Sequence, residues 1–153
     1  MPDLQEKSSK PCIEVKKIHT YLDVQQAQEI RCKVFVIGQN VPAEEEIDKF
    51  EEESFHFLAH IDGTPCGAAR WRITKKGVKL ERFAVLEKYR GCGVGSALVD
   101  AVLNDIDSNP EASGKQLYLH AQLSAMKLYS NFGFRKVGEL FQECEIDHYQ
   151  MLK

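Results

Sequence analysis

The sequence lacks the apolar segments that would insert a protein into a membrane. None of its apolar runs is long enough to cross a bilayer. The first residues, MPDLQEKSSKP, are polar and do not resemble a signal peptide. We therefore expect a cytoplasmic protein that does not bind membranes.

Cysteine is also scarce, and its spacing excludes two kinds of structural site. The five cysteines are widely scattered and contain no C-x-x-C pair, so neither a disulfide framework nor a zinc knuckle is predicted. The five histidines contain no H-E-x-x-H motif. We expect reduced thiols and no bound metal.

An excess of positive charge is missing as well. The formal net charge is -3, and basic residues cluster only in pairs such as Lys16 and Lys17, without the basic stripe of a nucleic-acid-binding protein. The composition, with 43% hydrophobic and 28% charged residues, is that of a globular domain. We expect a single domain over residues 1–153, with residues 1–11 as a flexible tail, and no nucleic-acid partner.

The spacing of apolar residues predicts the secondary structure. Alternation predicts strands over 12–18, 55–61, 66–73, 78–85 and 116–122, with one or two more after residue 134. Spacings of three and four predict helices over 23–36, near 43–50, over 94–106 and after residue 124, with Asp23 and Ser124 as caps and Gly133 as a terminator. A three-stranded meander followed by two β-α crossovers indicates an α+β fold in α/β/α layers, in which helices cover both faces of a mixed, mostly antiparallel sheet.

Residues 90–95, RGCGVG, join a predicted strand to a predicted helix. The first N–H groups of a helix have no intrahelical partner and carry partial positive charge, so they attract phosphate. Gly91, Gly93 and Gly95 would let a phosphate approach these groups, and Arg90 would add a cation at the rim. The join therefore favours a pyrophosphate site.

Three different kinds of loop also carry glycines at close spacing. A dinucleotide-binding fold requires G-x-G-x-x-G inside a βαβ unit, whereas the spacing here is G-x-G-x-G after a meander strand. A P-loop requires G-K-S or G-K-T, which is absent. A plain turn between strand and helix needs no ligand, and it stays open at this point.

Several blocks of the sequence resemble one protein superfamily. RGCGVG at 90–95 is similar to the Q/R-x-x-G-x-G/A signature of the GNAT acyl-CoA N-acyltransferases, and RFAV at 82–85 is similar to their bulged fourth strand. HAQLSAMKLYSNFGF at 120–134 resembles a later block of the superfamily. The positions that match this block are Gln122, Ala125, Tyr129, Gly133 and Phe134.

Residues 31–48 and 144–151 resemble the ElaA-like branch of this superfamily. The likeness then spans most of residues 30–153 and implies the GNAT fold. Two positions depart from the pattern, because Gln122 stands where Asn is usual and Gly38 stands where the branch commonly carries Glu.

The resemblance implies a binding site for acetyl-CoA. The N–H groups of residues 91–96 would hold its pyrophosphate, and the backbone of residues 83–85 would pair with the pantetheine arm and stabilise the oxyanion. The residues implied to contact the cosubstrate are Phe83, Ala84, Val85, Arg90, Gly91, Cys92, Gly93, Val94, Gly95, Ser96, Gln122 and Ala125. The Cys92 side chain is expected to fill space in the loop rather than to carry an acyl group.

The resemblance also assigns Tyr129 as the acid that protonates the departing thiolate. A base must take a proton from the amine, because an ammonium group has no lone pair for attack. We predict Glu81 as this base, since it is expected to share a strand face with Phe83 and Val85, and His120 and His148 are the alternatives. Direct attack predicts a sequential reaction in a ternary complex.

The acceptor is determined least by the sequence. We predict that Arg31, His120 and His148 contact it. Glutamates at 44–46 and 51–53 either attract a cationic amine or form a solvated acidic face. Arg31, Asp48, His56 and Arg70 match the ElaA-like pattern, which does not separate substrate contacts from contacts between strands.

The sequence thus predicts an N-acetyltransferase that uses acetyl-CoA and a primary amine of a small molecule or peptide, and a homodimer is compatible with it. Two other classes stay open. One is a CoA-binding regulatory module without turnover, and the other is an interaction domain that does not bind CoA.

Overall fold

Seven strands form one mixed sheet, and helices cover both of its faces. The computed structural model describes residues 10–153. The strands are β1 (Ile13–Ile18), β2 (Phe55–Ile61), β3 (Thr64–Thr74), β4 (Gly77–Val85), β5 (Leu117–Gln122), β6 (Arg135–Glu143) and β7 (Ile146–Leu152). The helices are α1 (Tyr21–Arg31), α2 (Ala43–Glu46), α3 (Val94–Asp107) and α4 (Met126–Ser130). The sheet order is β1-β2-β3-β4-β5-β7-β6, and β4 and β5 form the one parallel pair among the residues described. The predicted mixed, mostly antiparallel sheet is confirmed.

The prediction of a flexible tail concerns residues 1–11, of which residues 1–9 lie outside the described part of the chain. Lys10 and Pro11, which precede β1, are exposed. Over residues 10–153, no helix has both the length and the apolar composition needed to span a bilayer.

Alternating side chains of the central strands build a hydrophobic core on each face of the sheet. In β2, Phe57 packs in the core beneath α3, whereas Leu58 packs in the core beneath α1. Trp71 is fully buried in the α3 core, and its ring stacks on Phe55 with 4.3 Å between centroids. Burial of one such side chain stabilises the fold by about 2 to 3 kcal/mol. The two cores fix α1 and α3 on opposite faces, as the layered fold predicts.

Two helices begin at residues other than those predicted. Thr20 caps α1, because its Oγ1 accepts a hydrogen bond from the backbone N–H of Asp23 at 3.2 Å. Asp23 lies in the first turn, where its carboxylate faces the positive end of the helix dipole. Ser124 lies in a 3₁₀ turn, and α4 begins after Ala125 without a side-chain cap. Gly133, with a φ of 90°, follows the end of α4 as predicted.

The predicted helix over 23–36 is two segments. α1 ends at Arg31, and the chain continues as a π-helical segment from Cys32 to Ile37. A π-helical turn is wider than an α-helical one, so a spacing of three and four residues does not extend through it. Val34 still reaches the core beneath α1.

A bulge in β4 reverses the strand faces that simple alternation predicts. Arg82 has a φ of 61°, and the pairing with β3 shifts around it, so that an extra residue enters β4. Leu80, Phe83 and Val85 therefore all pack on the α3 side. Glu81 lies on the α1 side, and the prediction that it shares a face with Phe83 and Val85 is wrong.

The strands β4 and β5 diverge soon after they meet. They pair only at Val78 with Leu117 and at Lys79 with Tyr118. Beyond these pairs β5 continues its antiparallel pairing with β7, while β4 continues with β3. A wedge opens between them, and the backbone of residues 80–85 has no strand partner on that side within the described sheet.

Gly77 lies at the narrow end of this wedge and should be intolerant of any side chain. Its φ is 140°, and an added Cβ would lie 2.1 Å from the carbonyl oxygen of Gln116, which accepts a hydrogen bond from the Val78 N–H. We expect Gly77→Ala to lower the free energy of unfolding by about 3 kcal/mol, measured by urea denaturation. Gly114→Ala is the matched control, because its φ is 73° but the added Cβ meets nothing within 4 Å. The control should lose about 1 kcal/mol, and equal losses in both variants would contradict the close approach of the Gln116 carbonyl to Gly77.

Candidate active site

The wedge between β4 and β5 opens into a cleft of about 960 Å³, here called the wedge cleft. It runs from the start of α3, past Tyr129, to a charged end near α2. The sequence-predicted site residues that line it are Glu81, Phe83, Ala84, Val85, Arg90, Gly91, Gly93, Val94, Gly95, Ser96, His120, Gln122, Ala125, Tyr129 and His148. Arg31 and Cys92 are the two predicted site residues that do not line it.

The glycine-rich end of the cleft is formed by the start of α3. Gly93 occupies the N-cap position with a left-handed φ of 93°, and no side chain caps the helix. Gly91 also has a positive φ, of 78°, and a Cβ there would meet nothing within 4 Å. The first helical N–H groups therefore face the cleft without a capping side chain. Cys92 is exposed, so the prediction that its side chain fills space in the loop is wrong.

Arg90 lies at the rim of the same loop. Its Nε donates a hydrogen bond to the Val85 carbonyl at 3.1 Å, which ties the loop to the end of β4. An arginine side chain in such a place supplies a planar cation with several N–H donors. The loop thus combines free N–H groups, a helix dipole and one cation, which is the chemistry that binds phosphate.

Tyr129 lines the middle of the cleft from the α3 side of the sheet. Its ring contacts Phe83 edge-on, with 5.6 Å between centroids, and Phe134 at 6.3 Å. The side chain is 7% exposed, and burial raises the pKa of its phenol above the ordinary value. The phenol therefore keeps its proton at neutral pH and can act as a hydrogen-bond donor.

Two contacts join the opposite walls of the cleft. Gln39 and Gln122 form a reciprocal amide pair, with N···O distances of 3.3 and 2.8 Å. Farther along, the Cys144 thiol donates to the Glu45 carboxylate at 3.0 Å and links the β6–β7 turn to α2. This hydrogen bond, with partial burial, raises the pKa of the Cys144 thiol to about 11, which keeps it protonated. Gln39 was not predicted, because it is 83 residues from its partner.

Buried ion pairs form the wall behind the charged end. Arg70 is fully buried, and its guanidinium donates to Asp48 at 2.9 and 2.7 Å and to Glu81 at 3.2 and 2.9 Å. Arg31 is 1% exposed and bonds to the carboxylates of Glu46 and Glu51. Arg31 is therefore a structural residue, and the prediction that it contacts the acceptor is wrong.

The sequence did not show which of the ElaA-like positions contact substrate and which connect strands. All four of these positions belong to the buried network. His56 joins it through Glu51, whose backbone carbonyl lies 2.7 Å from the His56 Nε2. Burial lowers the pKa of the His56 imidazole, so the ring stays neutral at pH 7. The network thus holds strands and the α2 segment together through four residues, Arg31, Asp48, His56 and Arg70.

Glu81 is held by several cations at once. Besides the contact with Arg70, its carboxylate accepts a hydrogen bond from the Arg72 Nε, and its Oε2 lies 3.5 Å from the Lys79 Nζ. Burial alone would raise the pKa of the Glu81 carboxyl, but the charges of Arg70 and Lys79 and the bond from Arg72 outweigh burial and lower it. A general base must bind a proton near neutral pH. These contacts contradict the prediction that Glu81 is the base.

The six glutamates of segment 44–53 do not act as one group. Glu46 and Glu51 are bound to Arg31 in the buried network. The other four are exposed, and they are Glu44, Glu45, Glu52 and Glu53. Of the six, Glu45 and Glu46 line the wedge cleft.

The network should make stability fall at acid pH. Arginine contacts outweigh burial and lower the pKa of Asp48 to about 2, and the pKa values of Glu51 and Glu81 are lowered as well. Carboxylates with a lowered pKa stabilise the fold fully above about pH 4.5, and this stabilisation is lost as the pH falls towards 2. His56, whose pKa is also lowered, adds a loss in the same direction below about pH 6.5. Urea midpoints measured from pH 7 to pH 3 should fall most steeply below pH 4.5, and a flat profile would contradict the network.

A second polar cluster lies on the β5–β7–β6 side of the charged end. The His120 Nδ1 lies 2.6 Å from the Glu143 Oε1, and the His148 Nε2 lies 3.9 Å from the Glu143 Oε2. The His148 Nδ1 donates to the Ile146 carbonyl at 2.6 Å. Phe141 packs edge-on against His120 and stacks on His148. Burial alone would raise the pKa of the Glu143 carboxyl, but the contact with His120 and the nearby Lys79 and His148 outweigh burial and lower it.

Glu143 was not predicted from the sequence. The signal that could have found it is the pairing of β6 with β7, which places Glu143 opposite Ile146 and next to His148 in space. In residues 10–153 no group of three or more His, Cys, Asp or Glu side chains is arranged to hold a metal ion.

Comparison with known proteins agrees with this geometry. The acetyltransferase (GNAT) domain family matches residues 21–153. YjcF of Bacillus subtilis, described as an uncharacterized N-acetyltransferase, is 42% identical over 125 residues, which are 81% of this chain and 87% of YjcF. The Escherichia coli protein ElaA is 32% identical over 145 residues, covering 88% of this chain and 92% of ElaA.

Solved structures show the same fold. The crystal structure of Escherichia coli ElaA superposes with a TM-score of 0.79 at 26% identity, over 93% of this chain and 100% of ElaA. Arabidopsis thaliana Naa50, in complex with the bisubstrate analogue CoA-Ac-MVNAL, superposes with a TM-score of 0.72 at 24% identity, over 92% of this chain and 97% of Naa50. The resemblance to ElaA and to its superfamily is confirmed. The chain belongs to the GNAT acetyltransferase family.

Proposed function

We propose that the protein is an N-acetyltransferase that moves the acetyl group of acetyl-CoA to a primary amine by direct attack in a ternary complex. The observation that carries this proposal is the continuity of one cleft. Its lining includes an uncapped, glycine-rich helix start, a stretch of β4 that has no strand partner on that side, and Tyr129.

The residues of the cleft fit acetyl-CoA part by part. The N–H groups at the start of α3 and the Arg90 guanidinium suit the pyrophosphate. Residues 83–85 have no strand partner on the wedge side, and the Val85 carbonyl is the one group among them that Arg90 already binds. Their other backbone groups can pair with the amides of pantetheine, in the manner of an added strand. Apolar contacts would come from Leu128 and Ala125. Naa50, which shares the fold, was crystallised with a CoA-containing bisubstrate analogue, and this supports the assignment.

Transfer of the acetyl group requires the protein to stabilise negative charge at two atoms, the thioester oxygen and the departing sulfur. A backbone N–H at the β4 bulge would stabilise the negative charge that develops on the thioester oxygen. The Tyr129 hydroxyl would stabilise the sulfur as it leaves, since its pKa keeps it protonated. The amine would approach from the opposite, charged end of the cleft.

A panel assay that detects free CoA thiol tests this function. Amino-sugar phosphates, polyamines, amino acids and peptide N-termini should be offered with acetyl-CoA, and at least one should give turnover. Acetyl-CoA at 100 times its Kd should also raise the Tm by about 5 to 10 °C, because binding at this concentration adds about 2.7 kcal/mol. A Tm shift without turnover for any amine would identify a CoA-binding module instead, and no shift would identify an interaction domain.

Ser96 offers a sharp test of the phosphate site. It is the third residue of α3, it is exposed, and it lines the cleft. A glutamate at this position favours helix formation but places negative charge beside the proposed diphosphate. We expect Ser96→Glu to keep the stability of the free protein and to raise the Kd for acetyl-CoA at least tenfold in calorimetric titration. Ser96→Gln, of equal size and without charge, should stay within threefold of the original Kd. Equal affinities of the two variants would contradict a diphosphate at the start of α3.

A further inference from the structure

The proton released by the acceptor amine needs a base other than Glu81. The Glu81 carboxylate is bound to Arg70, Arg72 and Lys79, which leaves it little basicity. A free alkyl amine has a pKa near 10.4, so at neutral pH almost all of it carries the extra proton. The ammonium group must therefore lose this proton to another side chain or to water before the nitrogen can attack.

We propose that His120 is this base and that Glu143 is the positioning residue that holds its imidazole in the tautomer with a free Nε2. The proposal rests on the proposed function and names the proton acceptor of that reaction. It is based on two groups that line the wedge cleft, the His120 ring and the Glu143 carboxylate, and on the Phe141 ring that packs against His120.

The position of His120 suits an incoming amine. Leu119 and Ala121 on either side of it point into the α3 core, so the His120 side chain points to the other face of β5, the face on which Glu81 lies on β4. Tyr129 reaches the cleft from the α3 side. The proposed base and the proposed thiol partner therefore approach the wedge from opposite faces, which leaves separate approaches for amine and leaving group.

The hydrogen bond to Glu143 determines which nitrogen is free. A carboxylate only accepts hydrogen bonds, so the 2.6 Å contact places a proton on the His120 Nδ1. In the neutral ring the Nε2 then holds a lone pair. The side chain of His120 is 21% exposed and lines the cleft, so this lone pair is accessible to a ligand. The edge-on contact with Phe141, 5.1 Å between centroids, fixes the plane of the ring.

The charged and titratable groups around His120 come from four strands. Glu143 belongs to β6, His148 to β7, Lys79 and Glu81 to β4, and Tyr118 to β5 itself. Glu143 is the only one of these five that forms a hydrogen bond with His120 among the contacts of the described residues. Its carboxylate therefore faces the Nδ1 side of the ring and leaves the Nε2 side to the cleft.

The proton and electron pairs balance in this step. The His120 Nε2 takes one proton from the ammonium group, and the freed nitrogen lone pair attacks the thioester carbon. The C–N bond forms and the C–S bond breaks, with the electron pair of the latter leaving on sulfur beside the Tyr129 hydroxyl. The thiolate leaves with a hydrogen bond from the Tyr129 hydroxyl and then takes a proton from water. The second nitrogen proton passes to solvent, and His120 also returns its proton to solvent.

Nitrogen NMR of the whole protein tests the tautomer without any acceptor. In the wild type, the neutral His120 ring should show its proton on Nδ1. In Glu143→Ala the proton should move in part to Nε2, while Glu143→Gln, which keeps an accepting oxygen, should retain the original tautomer. A wild-type proton on Nε2 would overturn the proposal.

Kinetics with the panel amine of highest turnover tests the base. His120→Ala should lower kcat about 100-fold with the Kd for acetyl-CoA unchanged, and Glu143→Ala should lower kcat about tenfold. The rate of His120→Ala should recover with rising pH, because the free amine increases about tenfold per pH unit below its pKa. His19→Ala, which removes an exposed histidine elsewhere, should leave kcat and the Kd for acetyl-CoA unchanged.

A His120→Ala rate within threefold of the wild type, or one that does not recover at high pH, would overturn the proposal. No turnover by the wild type with any amine would instead overturn the proposed function, and the base role with it, even where the Nδ1 tautomer is found.

Discussion

Replacement of Tyr129 by Phe is expected to lower kcat about 100-fold and to leave the affinity for acetyl-CoA unchanged. The variant keeps the ring that packs against Phe83 and Phe134 and removes only the hydroxyl group. General acid catalysis contributes about 10² to 10⁴ in rate. The lower value applies here, because a thiol with a pKa near 8.5 is a stronger acid than the phenol, so full proton transfer to sulfur is uphill and the hydroxyl acts mainly through its hydrogen bond.

Tyr118→Phe is the control for this prediction. Tyr118 is also buried, and its hydroxyl lies 2.6 Å from the Thr74 Oγ1, away from the proposed leaving group. Loss of the Tyr118 hydroxyl should lower the free energy of unfolding by about 1 kcal/mol and leave kcat close to that of the wild type. Stopped-flow measurement of thiol release separates the chemical step from product release. Equal rates for Tyr129→Phe and the wild type would remove Tyr129 from the reaction.

The largest loss of stability is expected from Arg70→Met. Met fills a similar volume but leaves Asp48 and Glu81 without the guanidinium that lies between them. Removal of one partner from a buried ion pair costs about 3 to 5 kcal/mol, which is a large share of the stability of a domain. Urea denaturation at pH 7 measures this loss.

Two variants show whether the loss arises from the broken ion pairs of Arg70. Arg135→Met removes an exposed arginine from β6 and should cost less than about 0.5 kcal/mol. Adding Glu81→Gln to Arg70→Met should recover part of the loss, because a neutral amide loses less than a carboxylate when the Arg70 guanidinium is absent. The contacts of Glu81 with Arg72 and Lys79 keep this recovery partial. A loss for Arg70→Met as small as that for Arg135→Met would show that the network contributes nothing to stability.

Most of the architecture could be predicted, because most strands and the helix α3 have a clear local pattern of apolar residues. The alternation in β2 and β3, the Asp62–Gly63 turn between them and the helical spacing of α3 all agree with the final structure. The glycine-rich join was recognisable for the same reason, since the strand, the turn and the helix are adjacent in the sequence. A fold can be predicted from a single sequence where the local pattern of each element agrees with the final structure.

The side chains of the charged end could not be predicted, because their surroundings depend on long-range pairing. The bulge at Arg82 turns Glu81 away from Phe83, and period-two alternation gives no sign of it. Arg31 matched the pattern of the family as well as a substrate contact would, yet its partners lie 15 and 20 residues away and bury it. Glu143 approaches His120 only after β5, β7 and β6 have paired in register.

A crystal structure of the protein with bound CoA tests the central claim most directly. We expect the diphosphate oxygens to lie within about 3.2 Å of backbone nitrogens of residues 91–96, with the thiol in the wedge between β4 and Tyr129. A diphosphate bound elsewhere, with the start of α3 free of ligand or covered by neighbouring side chains, would contradict this claim.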